Sequence, residues 1–122
     1  MRTFKFRAKR KDNGQWAYGS LVITPHATYI YRYEDSTHIV NEINPDTVCQ
    51  FTGLHDENGT EVYEHDIIEC IDGNSEVVWL NGFSGFYSKG RFSKGPLAFT
   101  MAGYVFRVIG NTFDYVKYNI KK

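Results

Sequence analysis

At 122 residues, with 42% hydrophobic residues and an aromatic share of 16% from nine Tyr, nine Phe and two Trp, the chain can bury one core, or two small ones that share it. So many rings favour sheet over helix, because aromatic side chains pack well on a pleated surface. Formal net charge is zero, which excludes a global field that would draw the protein to nucleic acid or to a membrane surface.

The charges are nevertheless segregated. Six of the first eleven residues are basic, from Arg2 to Lys11, whereas twelve of the fourteen acids fall between Glu34 and Glu76, a stretch with no Lys or Arg. Lys89, Arg91, Lys94 and Arg107 then follow with no acid between Val77 and Phe113. The plainest reading is that basic and acidic strands lie side by side and pair across a sheet. The sharper one is a pair of opposite surface patches suited to a head-to-tail partner or a polyanion.

In chain order, strand signals repeat and helix signals are nearly absent. Phe4, Phe6 and Ala8 alternate with Lys5, Arg7 and Lys9, which predicts a strand with rings inward and cations outward. Nothing in this opening resembles a secretory leader, and no segment approaches the ~20 apolar residues that span a bilayer. Asp12-Asn13-Gly14 supplies a hairpin turn, and Gln15 to Ile23 returns as the partner, with Trp16 and Tyr18 on one face. Thr28 to Tyr33 is a tyrosine-dense strand, turned by Glu34-Asp35-Ser36-Thr37 into His38 to Ile43. Asn44-Pro45-Asp46 turns again before Thr47 to Leu54. Asn58-Gly59 closes the next hairpin onto Thr60 to Tyr63, and Glu64-His65-Asp66 bends the chain into Ile67 to Ile71. Glu76 to Leu80 and Tyr104 to Ile109 complete the set. Short strands at this spacing, punctuated by Gly and Asn, predict an all-β barrel or sandwich. The stretch from Asn81 to Phe99 carries Gly82, Gly85, Gly90 and Gly95 and reads as a hairpin arm or mobile loop. Cys49 and Cys70, the only two cysteines, make no metal set and fit free thiols in a reducing cytoplasm.

With the strands placed, the motifs resemble the YopX family of bacteriophage and prophage proteins. The opening Met1, Arg2, Lys5, Phe6, Arg7 and Ala8 matches a family start, with Lys9 where tryptophan often stands, and Trp16, Tyr18 and Gly19 match an aromatic-Tyr-Gly segment. The hallmark is carried by Gln50, Phe51, Thr52, Gly53, Leu54, Asp56, Asn58, Gly59, Val62, Tyr63, Glu64, Asp66, Ile67 and Ile68. His65 departs from it, standing where glycine is usual, and a left-handed backbone there would cost a side chain on the order of 1–2 kcal/mol. Val108, Ile109, Gly110 and Asn111 match a closing motif, while the acidic Pro-containing ending is missing. The resemblance implies an SH3-type barrel in residues 61–122 and a separate N-terminal β portion in residues 1–60, the two sharing one core. It implies no particular activity.

Chemistry is hard to find in these residues. Aligning Gly59 with the glycine of a calcium loop puts Leu54 and His65 at ligand positions, so that cage fails. His26, His38, His55 and His65 have no metal-ligand spacing, and Gly82-Phe83-Ser84-Gly85 lacks the final glycine of a nucleophile elbow. No catalytic residue, metal or cofactor is therefore expected, and carboxylates holding Mg²⁺ for hydrolysis are the weakest reading. The aromatic and basic arm offers Phe86, Tyr87, Lys89, Arg91, Phe92 and Lys94 to a partner. Rings on flexible backbone stack on unpaired bases and cations meet phosphates, so single-stranded nucleic acid is the alternative partner. Contact with a second copy, or with a host or phage protein, is favoured because monomers rarely expose large apolar patches. The sequence reading is thus a cytoplasmic, phage-encoded, non-enzymatic protein that works as a homo-oligomer without membrane contact.

Overall fold

A computed structural model of the chain describes residues 4–70, 73–82, 85–90, 95–96 and 106–114. The described strands form two antiparallel sheets, neither closed into a barrel, so the all-β expectation holds. The chain divides into two compact units, Met1–Phe51 and Thr52–Lys122. This division falls before the Asn58-Gly59 hairpin, whereas the sequence reading divided the chain after it.

In the first unit, β1 (Phe6–Lys9), β2 (Trp16–Ile23), β3 (Thr28–Glu34) and β4 (Thr37–Glu42) are joined by tight turns. A 3-10 turn at Pro45–Thr47 then leads to β5 (Cys49–His55). In their sheet β4, β3, β2, β1 and β5 lie side by side in that order. Gly14 adopts φ +72° in the first turn, and the side chain of Asn13 accepts the N–H of Gln15 at 2.9 Å. In the β3–β4 turn Asp35 and Ser36 both have positive φ, 51° and 61°. That pairing of angles matches the right-handed twist of a two-residue hairpin. Halfway along, β2 changes partner: Gly19 lies opposite Phe6 of β1, and Ser20 opposite Tyr31 of β3. Glycine is required at the crossover, since a Cβ on Gly19 (φ +155°) would sit 2.2 Å from the carbonyl oxygen of Tyr31.

Ala8, Ala17, Ile30 and Ile43 form the first unit's core, with Phe6, Leu21 and Val48 packed against it. The alternation in β1 therefore points Phe6 and Ala8 inward as expected. Its cations do not stand free in water. Arg7 is only 6% exposed, and the Arg7 guanidinium lies 4.6 Å and the Lys9 ammonium 5.4 Å from the centre of the Trp16 ring. Lys5 sits 5.4 Å over Phe51. Stacking on rings is how long cationic stems pack on a sheet face. Buried Cys49 donates its thiol to the carbonyl of Thr47.

In the second unit, the end of β5 turns into β6 (Glu61–Tyr63), followed by β7 (Asp66–Cys70), β8 (Gly73–Leu80), β9 (Gly85–Gly90), β10 (Gly95–Pro96) and β11 (Phe106–Asn111). The five-stranded sheet runs β10-β9-β8-β7-β11, a meander whose last strand returns to pair with the first. Val62, Ile68, Val77 and Phe106 form its core, joined by Leu54, Phe86 and Val108. The described part of the glycine-rich segment departs from a loop: β9 pairs with β8 from Gly85↔Leu80 to Gly90↔Ser75. Gly90 serves close packing there, because a Cβ on it would meet the Ser75 Oγ at 2.4 Å.

Candidate interaction surfaces

The hallmark residues build a structural knot. Asp56, 8% exposed, accepts the N–H groups of Asn58 and Thr60 on Oδ1, both at 2.9 Å. Its Oδ2 accepts the N–H of Val108 at 2.9 Å. Burial pushes this carboxyl's pKa up, but the amides of Val108, Thr60 and Asn58 with the Thr60 hydroxyl outweigh it and hold the group below the usual carboxylate range. Gly59 (φ +81°) and Gly53 (φ +85°) supply the left-handed backbone the hairpin needs. The hydroxyl of Thr52 donates to the Val62 carbonyl at 2.7 Å, and Phe51 N–H donates to the Lys5 carbonyl at 2.8 Å. Gln50 lies opposite Phe6. Asp66, 1% exposed, accepts the Tyr63 N–H at 2.8 Å across the tight turn, with Tyr63 and Ile67 buried on either side.

His65 sits at the head of that turn with φ +68°, in the left-handed backbone anticipated for the glycine position. Its N–H donates to the Val77 carbonyl at 2.6 Å and its carbonyl accepts the Thr112 N–H at 3.0 Å. The imidazole Nδ1 lies 3.0 Å from Glu76 Oε2, and Nε2 lies 4.0 Å from Glu64 Oε2. The ring meets Phe113 edge-on at 5.5 Å.

Of the proposed arm residues, Arg91, Phe92 and Lys94 lie outside the described residues. The other three belong to β9. Phe86 packs on the second core and takes Trp79 edge-to-face at 5.1 Å between ring centres. Tyr87 is half-buried opposite Val78, and exposed Lys89 lies opposite Glu76. The structure thus brings Phe86 into the core and leaves Tyr87 and Lys89 on the other sheet face. Basic and acidic strands do lie side by side here, as Arg107 and Glu69 also pair across β11 and β7 at 2.7 Å.

A second aromatic surface, in the first unit, was not singled out from the sequence. In the β2-β3-β4 ladder Tyr29 lies opposite Val22 and Glu42, Tyr31 opposite Ser20 and Val40, and Tyr33 opposite His38. Residues directly opposite share a face, so these side chains line one side, while Ile30 on the other side is fully buried in the core. The tyrosine side is open: Tyr33 is 61% exposed, Val40 58% and Val22 41%. His38 sits between the rings, hydrogen-bonded through Nδ1 to the Tyr31 hydroxyl and 4.9 Å from the Tyr33 ring centre. The period-two tyrosines were the available signal; which side they face follows only from the strand pairing.

A model of the YopX protein family matches residues 5–116. The chain belongs to the YopX family. The crystal structure of protein EF1440 from Enterococcus faecalis shares the fold with this YopX chain at a TM-score of 0.61 and 21% identity, covering 96% of this chain and 98% of that one. No protein of curated function matches the sequence.

Among the described residues of this YopX chain, no three His, Cys, Asp or Glu side chains group so as to hold a metal ion. No described helix is long and apolar enough to cross a membrane. The hallmark carboxylates Asp56 and Asp66 accept backbone amides and help to hold the chain's shape.

Proposed function

We propose that this YopX chain is a non-enzymatic protein-interaction module that associates with a second copy of itself through the open tyrosine face of β2, β3 and β4. The exposure of Tyr33, Val40 and Val22 on one sheet face carries the reading, because an apolar patch of this kind marks a contact site. A second copy is the occupant best supported by charge. The centre of the face, around Tyr31, Ser20 and Val40, holds no charged side chain, and Glu42 at its edge pairs with Lys11. A net charge of zero also removes the repulsion that keeps like molecules apart. β4 ends the sheet order, and an edge strand beside an apolar face offers backbone pairing to its counterpart.

The order of the second unit's sheet supports an SH3-type arrangement of its five strands. Packing of Phe86 into the core leaves Tyr87 and Lys89 as the described arm residues that support the single-stranded nucleic-acid alternative. A phage-encoded protein working in the host cytoplasm fits the family. Light scattering across the micromolar range tests the proposal. The wild-type chain forms a defined oligomer, and Tyr33→Glu with Val40→Glu yields a folded monomer; a wild-type chain that stays monomeric throughout would overturn it.

A further inference from the structure

We propose that His65 is a proton-operated clamp on the second unit. In its charged form the imidazolium ties the turn between β6 and β7 to Glu76 of β8, and loss of the proton releases that tie. The inference goes beyond self-association and rests on other residues.

Geometry carries the argument. A glycine would fill the left-handed position without strain, yet this chain places His there at φ +68°. What the side chain gains is a carboxylate partner: Glu76, 5% exposed, lies 3.0 Å from Nδ1. Glu64 of the same turn approaches Nε2 at 4.0 Å. An imidazolium between two carboxylates is favoured over the neutral ring, and a carboxylate removed from water gains most from a cation at hydrogen-bond distance. The backbone of His65 bonds both to Val77 of β8 and to Thr112 beyond β11. A change in the ring's hold is therefore felt by two other segments.

Charged groups on the described neighbouring elements enter the balance. On the turn itself Asp66 is occupied with the Tyr63 N–H. From β9, Lys89 lies opposite Glu76 in the ladder, but it is exposed and competes from solvent. After β11, Phe113 presents its ring, and the Asp114 carboxylate accepts from the Asn111 side chain. Because the charged form is favoured in the folded state, its contribution is fully present below the ~6.5 of free imidazole. It is lost as pH rises through the folded value.

The test is thermal unfolding of the full chain from about pH 6 to about pH 8, where histidine is the side chain that titrates. The wild-type midpoint falls by about 4 °C over that interval. The fall disappears in Glu76→Gln and in His65→Asn, which keeps a side chain tolerant of positive φ. His65→Gly relieves the backbone and provides a second folded variant lacking the ring. Proton NMR supplies a site-specific readout: the imidazole of His65 holds its proton to higher pH in the wild-type chain than in Glu76→Gln. A flat wild-type midpoint, a slope that survives in both His65 variants, or a His65 titration that Glu76→Gln leaves unchanged would overturn the proposal.

Discussion

The carboxylate of Asp56 accepts the N–H of Val108 at 2.9 Å across 52 positions of sequence, so a turn of the β5–β6 hairpin is fastened to the last described strand. The same side chain closes its own turn through Asn58 and Thr60. One acid thus accepts three backbone amides.

Replacing Asp56 with Ala leaves those amides without an acceptor and lowers stability by about 3 kcal/mol, with Asp56→Asn intermediate. The folded pKa is held down, so the acid's contribution is present above the unfolded value of ~3.9 and is lost as pH falls through the folded one. Urea unfolding from neutral pH into this acid range measures both effects. The wild-type chain loses stability on acidification, and Asp56→Asn, already weaker, shows a shallower loss.

Gly19→Ala destabilises the first unit by about 3 kcal/mol, because the new methyl meets the Tyr31 carbonyl and the backbone angle disfavours any side chain. Gly53→Ala makes the control. A Cβ there has open space around it, so only the conformational cost of about 1 kcal/mol remains. Equilibrium denaturation of the two variants separates steric from conformational loss.

Phe86→Ala and Tyr33→Ala distinguish a core ring from a surface ring. The first costs about 3 kcal/mol through the lost packing and the cavity left behind. The second changes folding stability by less than about 0.5 kcal/mol and weakens self-association instead. Chemical denaturation and light scattering on each variant read the two quantities independently.

The Arg107–Glu69 pair is exposed on both sides, with 57% and 41% of the two side chains open to solvent. Its hydrogen bond raises the arginine's pKa further, which changes nothing at neutral pH because the group is charged throughout. Glu69→Gln leaves the unfolding midpoint unchanged at physiological salt. A clear drop in the thermal melt would show the pair to be shielded from solvent.

Much of the architecture was readable because period-two alternation and Asn-Gly turns are local signals. The alternation in β1 and the Asn58-Gly59 corner needed no tertiary knowledge, whereas the glycine usual at His65 only raised the question of a left-handed backbone, which the structure answers with φ +68°. What could not be read depends on partners distant in sequence. Gly90 looked like a source of flexibility, yet it is small because Ser75 of β8 presses against it. Phe86 looked like a stacking ring, and the pairing of β9 with β8 turns it inward. The tyrosines of β3 were visible, but only their neighbours Val22 and Val40 show that they line an open face.

The pairing of β11 with β7 also sets a schedule for synthesis. On a ribosome adding about 5–20 residues per second, β7 emerges several seconds before the strand that covers its free side. Through that interval Ile67 and Ile68 belong to an incomplete sheet. Folding of the second unit is therefore held back by long-range closure more than by any local step.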